Sequence, residues 1–245
     1  MKKALTIIAI LFLMAGFSAQ ARAYSFSAYG SMTGAKTLAV NPFLYGAIGP
    51  FDARLDLVAG YGISDRFDCF ANIAGLFYDG FGGFNYAGSW VMPRFDLGAN
   101  NILALMAGEE YDPVTGAAGF YLYPQYHFFW ENTRTAFEIN GGVSIPLDAP
   151  ETATAYLYFA PVLKIVDGTF HVFCELDSYY VAAGEEKGFN LAVMPGVWFG
   201  FGEEALHQFS VGLSISDWWN GGKLDGAPSL SWNIWYWTTF SLGGE

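Results

Sequence analysis

The stretch Ala153–Val181 constrains the fold more than any other part of the chain. It reads as two arms joined by a tight turn at Val166-Asp167-Gly168-Thr169. On the first arm Ala155, Leu157, Phe159, Pro161, Leu163 and Ile165 share one parity, and Thr154, Tyr156, Tyr158, Ala160, Val162 and Lys164 share the other. Strand side chains alternate between faces, so one face is wholly apolar and the other is mixed. The second arm repeats this. Phe170, Val172, Cys174, Leu176 and Tyr180 fall on one face, with Ser178 the exception, and Thr169, His171, Phe173, Glu175, Asp177 and Tyr179 on the other. Each arm is ~10 residues or more, the length of a tilted strand that crosses a bilayer. A sandwich strand also alternates. Strand length, uniformly apolar outer faces and charges confined to the opposite faces point instead to a membrane barrel.

The same hairpin recurs along the chain, and twelve strands are expected. They cover Lys36–Ile48, Asp52–Tyr61, Arg66–Tyr78, Tyr86–Leu97, Ile102–Gly108, Ala117–Trp130, Arg134–Ile145, the two arms above, Gly188–Gly200, Glu204–Ser216 and Leu230–Leu242. Connections after Tyr61, Leu97, Trp130, Ile165 and Gly200 are tight. Those at Asp79, Glu109, Asp148, Gly184 and Asp217 are longer, and Gly-rich or acidic. Short turns at one end and longer loops at the other suit a closed barrel in a bilayer. Pro93, Pro124, Pro161 and Pro195 all fall on outward positions, and proline removes a ladder hydrogen bond, so bulges or strand ends are expected there.

The one continuous apolar run lies at the N-terminus. Lys2 and Lys3 precede Ala4–Phe17, and Ala21-Arg22-Ala23 supplies small residues. This is the pattern of a signal peptide, residues 1–23, leaving 24–245 as one barrel domain. Residues 24–34 are compatible with a lead-in, a lumen insert or an extra strand. Without Lys2, Lys3 and Arg22 the 11 basic residues fall to 8 against 23 acidic ones, a net charge of −15. That balance argues against nucleic acid as a partner.

Two features carry a family resemblance. The last strand, Leu230-Ser-Trp-Asn-Ile-Trp-Tyr-Trp-Thr-Thr-Phe240, resembles the terminal assembly signal of Gram-negative outer-membrane β-barrels, with alternating aromatics ending in Phe; here Ser241–Glu245 follow it. The hairpin Tyr61-Gly62-Ile63-Ser64-Asp65-Arg66 is similar, over six residues, to small-molecule outer-membrane transporters related to a phenol-degradation meta-pathway protein. The resemblance implies export to the cell outer membrane, both termini on the periplasmic side, and contact with outer-membrane lipid, lipopolysaccharide and the barrel-assembly machinery.

The candidate functional residues are the polar ones of inward parity: Arg54, Asp56, Asp68, Arg94, Asp96, His127, Arg134, Glu138, Lys164, His171, Glu175 and Asp177. They would line either a conducting lumen with a local field or a salt-bridged plug. Trp90, Trp198, Trp235 and Trp237 share that face and would narrow the bore. Twelve strands lie between filled eight-stranded barrels and open sixteen-stranded porins. A narrow channel for passive passage of small solutes is therefore the leading expectation. The alternatives are a lipid- or peptide-modifying barrel enzyme and a blocked barrel whose loops are the active surface. For an enzyme, His127 beside Glu138 is the best base-and-orienter pair, with Gln125 expected opposite Glu138, but no serine is placed to serve as nucleophile. No catalytic residue, cofactor or metal site is assigned. The acidic stretch Glu109–Asp112 lacks the spacing of a calcium loop. Cys69 and Cys174 read as small lipid-facing side chains rather than a disulfide.

Overall fold

The computed structural model describes residues 31–48, 52–78, 84–111, 116–183, 187–202, 206–220 and 228–242. The expected signal peptide lies outside the described residues. Twelve strands form in chain order: β1 (Thr37–Ala47), β2 (Ala53–Ser64), β3 (Phe67–Tyr78), β4 (Phe84–Gly98), β5 (Asn101–Tyr111), β6 (Ala118–Glu131), β7 (Thr135–Pro146), β8 (Thr154–Val166), β9 (Phe170–Val181), β10 (Gly188–Phe201), β11 (His207–Asn220) and β12 (Ser229–Ser241). Each pairs antiparallel with its sequence neighbours, and β1 pairs with β12 from Thr37↔Ser241 to Ala47↔Ser231, so the sheet closes into a barrel. Closure leaves no edge strand, which a lipid environment requires. Among the described residues no helix is long and apolar enough to cross a membrane.

Tight turns gather at one end, here called the turn end, and longer connections at the other, the loop end. The β8–β9 turn uses Gly168 at φ 71°, a left-handed conformation that costs glycine nothing. The β4–β5 turn places Ala99 and Asn100 at φ 52° and 62°. Two successive left-handed residues match the right-handed strand twist. Asn101 Nδ2 holds that turn by donating to the carbonyls of Gly98 and Ala99 at 2.8 and 2.9 Å. In the β6–β7 turn Oδ1 of Asn132 accepts from the N–H groups of Arg134 and Thr135 at 2.7 and 2.8 Å.

Three sequence expectations shift at strand ends. Gly62, Ile63 and Ser64 belong to β2, so the turn is Asp65-Arg66. Glu109 and Glu110 belong to β5, where they pair with Ser89 and Gly88, and Asp112 lies outside the described residues. Strand β11 continues to Asn220 rather than ending at Ser216. In each case ladder pairing to a neighbour outweighs the local turn chemistry.

The prolines do something other than expected. The ladder between β4 and β5 breaks after Val91↔Ala107 and resumes at Arg94↔Ala104, skipping Pro93. The same happens at Pro124 between β6 and β7, at Pro161 between β8 and β9, and at Pro195 between β10 and β11. Pro42 opens an equal gap between β1 and β12. Register on the two sides of each gap is unchanged, so none of these is a bulge. A strand residue directs its N–H to one neighbour only, so proline weakens one ladder and leaves the other intact. The uninterrupted partners include Pro42↔Leu57, Pro93↔Cys69 and Pro195↔Cys174. At the Pro42 gap the loss is repaired: Nδ2 of Asn41 donates to the carbonyl of Tyr236 at 2.7 Å.

The protein is apolar outside and close-packed inside. Exposed large side chains include Ile73, Leu103, Phe120, Leu157, Leu163, Ile165, Phe199 and Leu213, all of outward parity. Apart from a few positions such as Thr238 and Phe240 on β12, the buried side chains are those of inward parity, so the core is the lumen itself. Cys69 and Cys174 are free, half-buried thiols on the outer face.

Candidate functional site

Near the loop end the inner wall is polar and partly open. Arg54 Nε donates to Asp56 Oδ1 at 3.0 Å, and Asn72 Nδ2 donates to the same oxygen at 3.0 Å. The Tyr45 hydroxyl lies 3.4 Å from Asp56 Oδ2, and the Arg54 guanidinium sits 5.8 Å from the Tyr45 ring centroid. Across the lumen, Tyr156 contacts Tyr123, Tyr158 and Tyr179 with ring centroids 5.6, 5.7 and 5.9 Å apart. Asp177 is registered with Tyr158, and Glu175 follows two positions nearer the turn end on the same face. Glu110 shares the inward parity of β5 and is exposed at the loop end. This half presents tyrosine rings and carboxylates against one guanidinium.

Toward the turn end the lumen is filled. Phe70, Met92 and Trp198 are fully buried and Trp237 is 1% exposed. With Ala39, Val58, Phe129, Val162 and Phe173 they form one apolar cluster drawing on most strands. The packing relies on inward glycines. A Cβ on Gly60 would lie 2.3 Å from Cε1 of Phe70, and one on Gly196 would lie 2.3 Å from Cζ of Phe173. These rings therefore lie flat against the wall beside them. Trp235 stacks on Trp237 at 5.9 Å, Phe70 on Trp237 at 5.6 Å, and His171 on Trp198 at 4.3 Å. Water does not reach these side chains, so this layer seals the bore.

Charge is buried within the same half. Arg94 grips Asp68 with two hydrogen bonds, Nε to Oδ1 at 2.8 Å and Nη2 to Oδ2 at 2.6 Å. Both side chains are 0% exposed. A bidentate guanidinium–carboxylate pair is among the stronger and more directional contacts a protein makes. Arg94 also lies 4.5 Å over the Phe70 ring, which ties the ion pair to the aromatic layer. Lys164 reaches the turn-end rim, where Nζ contacts Glu131 at 2.7 Å and Asp167 at 3.4 Å.

Of the twelve residues singled out from the sequence, Asp56, Asp68, Arg94, His127, Glu138, Lys164, His171 and Glu175 are buried on the inner wall, and Arg54 and Asp177 are half-buried there. Asp96 is half-buried at the turn-end rim, where it accepts from the Gly98 N–H at 2.8 Å and faces Arg66 at 3.9 Å. Arg134 is a correction. It is exposed in the β6–β7 turn instead of opening β7, because the Asn132 side chain extends that turn to Thr135.

The β6–β7 register is a second correction. His127 is opposite Asn140, Gln125 opposite Gly142 and Phe129 opposite Glu138. His127 thus stays diagonal to Glu138, but neither ring nitrogen makes a hydrogen bond. The base-and-orienter contact is not formed. Among the described residues no group of three or more His, Cys, Asp and Glu could hold a metal ion.

No protein-family model matches the chain, and no curated protein matches it. Solved structures do. An outer membrane channel from Pseudomonas putida F1 superposes with a TM-score of 0.56 at 12% identity, over 89% of this chain and 100% of that one. The chain has the fold of an outer-membrane β-barrel. A bacterial polysaccharide outer membrane secretin follows at 0.48 and 11% identity over 84% and 98% of the two chains, and OmpT, an outer membrane protein of Vibrio cholerae, at 0.37 and 9% over 83% and 96%. At these scores the last two add nothing to the argument.

Sequence reading found the charged face but not its partners. Tyr45 and Glu131 were overlooked because their roles depend on cross-strand neighbours. The sealing layer left a better signal: large apolar residues recur at inward positions (Phe70, Met92, Phe129, Phe173), beside inward glycines that make room for them.

Proposed function

We propose that this protein resides in the outer membrane of a Gram-negative cell and passes small solutes passively through a narrow lumen, closed in the state described here. The observation that carries this reading is the contrast along the lumen. The loop-end half is lined by Arg54, Asp56, Asp177 and tyrosines and is partly open, while the turn-end half is plugged by apolar rings and one fully buried ion pair. A barrel serving only as an anchor has no use for a polar vestibule. The apolar exterior supports a lipid setting, with outer-membrane lipid and lipopolysaccharide around the wall and the barrel-assembly machinery acting on β12 during insertion. The turn end then faces the periplasm. The fold shared with a Pseudomonas outer membrane channel, and the Tyr61–Arg66 hairpin, make small-molecule channels the first relatives to compare.

No catalytic role is part of this reading, since His127 is buried without a hydrogen bond and His171 is stacked against Trp198. The sealed layer favours one second reading, a permanently blocked barrel that works through its loops. Swelling of liposomes containing the purified protein separates the two. Entry of small sugars or amino acids, falling steeply with solute size, supports the channel. Liposomes that stay impermeable to every solute, with the barrel shown to be folded, support the blocked barrel.

A further inference from the structure

At the turn end the chain re-enters its own barrel. The wall is complete from Thr37 onward, because β1 pairs with β12 from Thr37↔Ser241. Residues before Thr37 are therefore not needed for closure of the sheet. Yet Thr33 is 1% exposed, its N–H donates to Asp68 Oδ2 at 2.9 Å, and the Ser31 carbonyl accepts from Arg94 Nη2 at 2.9 Å. Asp68 and Arg94 both project inward, so the segment lies inside the mouth. Nearer the rim the Ala35 N–H meets Asp65 Oδ1 at 3.2 Å, and at Lys36 the chain joins the wall, its N–H on the Gly62 carbonyl at 2.7 Å and its carbonyl accepting from the Leu242 N–H at 2.8 Å. The wall is also shaped for it: a Cβ on inward-facing Gly62 would lie 1.6 Å from the Gly34 carbonyl oxygen.

Taking a carboxylate and a guanidinium out of water costs several kcal/mol per ion, and apolar side chains of similar size would fill the space as stably. What the pair adds is recognition. Paired ions with spare hydrogen-bonding capacity bind a backbone donor and a backbone acceptor of one short segment at once. Arg94 also lies over Phe70, which stacks on Trp237, so the segment and the sealing layer share one holder.

We propose that Ser31–Ala35 is a built-in closure of the turn-end mouth, latched to the wall by Asp68 and Arg94. Its effect on permeation rests on the channel reading; its position in the mouth does not. Three proteins test it: the chain from Tyr24, a chain shortened to begin at Ala35, and Gly62→Ala. Each is refolded, checked for heat-modifiable gel mobility and inserted into planar bilayers. The shortened chain should conduct several-fold more than the chain from Tyr24 at the same voltage. Gly62→Ala, with its ion pair intact, should shift conductance the same way. Equal conductance in all three overturns the closure and leaves the channel standing. No conductance in any overturns both. A second readout needs no current. Thr33→Cys, in a background with Cys69→Ala and Cys174→Ala, should resist a charged maleimide in the folded barrel and react once Gly62→Ala is added. Rapid labelling without Gly62→Ala overturns the closure whatever the conductance.

Discussion

At the scale of single residues, the fully buried Asp68–Arg94 pair shows polar groups that satisfy one another out of water. Removing Arg94 would leave the Asp68 carboxylate uncompensated where both side chains are fully buried. Arg94→Met should destabilise the folded protein by about 3–5 kcal/mol, and Arg94→Met with Asp68→Leu should regain most of that loss. Urea unfolding in detergent measures both, and a double variant no better than the single would contradict the account. On the inner face of β1, Asn41 supplies the Tyr236 carbonyl with the donor that Pro42 lacks. Asn41→Leu should cost about 1–3 kcal/mol, the penalty for a buried acceptor left unpaired. Single residues were the scale least legible in the sequence. Parity identified Asp68, Arg94, Glu138 and Glu175 as inward, because alternation is local. It could not pair Asp68 with Arg94 and Thr33, because those contacts depend on inter-strand register and on a segment with no pattern of its own. Arg134 was misplaced for a related reason: the reach of the Asn132 side chain, which lengthens the turn, leaves no mark on hydrophobic alternation.

At the scale of elements, the strands follow from alternation, and their ends follow from pairing. The hairpin of β8 and β9 is legible almost residue by residue, since its turn carries Asp-Gly and both arms alternate cleanly. The β6–β7 register is not, because Asn132 extends the turn and shifts every partner. The five interior prolines show how a strand tolerates the loss of one donor: each interrupts a single ladder, and register is held by the neighbour on the other side. At Pro93, Pro124, Pro161 and Pro195 bulges or strand ends are expected if the missing bond is treated as a geometric fault. In a closed barrel each strand is held from two sides, so the fault stays local. Restoring the donor should therefore strengthen the wall without changing its register. Pro124→Ala is expected to raise the unfolding free energy by about 1 kcal/mol, the net worth of one hydrogen bond. An unchanged or lower unfolding midpoint would show that the gap is occupied by some other favourable contact.

At the scale of the whole molecule, the net charge and its placement make a statement about ions. At the loop end Glu110 is exposed on the inner face while Asp56 is paired with Arg54, and Arg94 and Lys164 are held by partners nearer the turn end. Acidic mouths concentrate cations, and the effect decays over ~8–10 Å at physiological salt. Current through the barrel should show mild cation preference that weakens as salt rises, and Glu110→Gln should reduce it. This expectation rests on composition and parity alone. The seal across the turn-end half was not, because whether twelve strands enclose a bore or a core depends on how rings such as Phe70 and Phe173 lie against Gly60 and Gly196. The central claim is a narrow, acidic-mouthed channel in a closed twelve-stranded wall. Reversal potential in a planar bilayer under a salt gradient tests it most directly. The predicted result is small unitary currents with a reversal potential on the cation-selective side at low salt; large porin-like currents with anion preference, or no current from a demonstrably folded barrel, would contradict it.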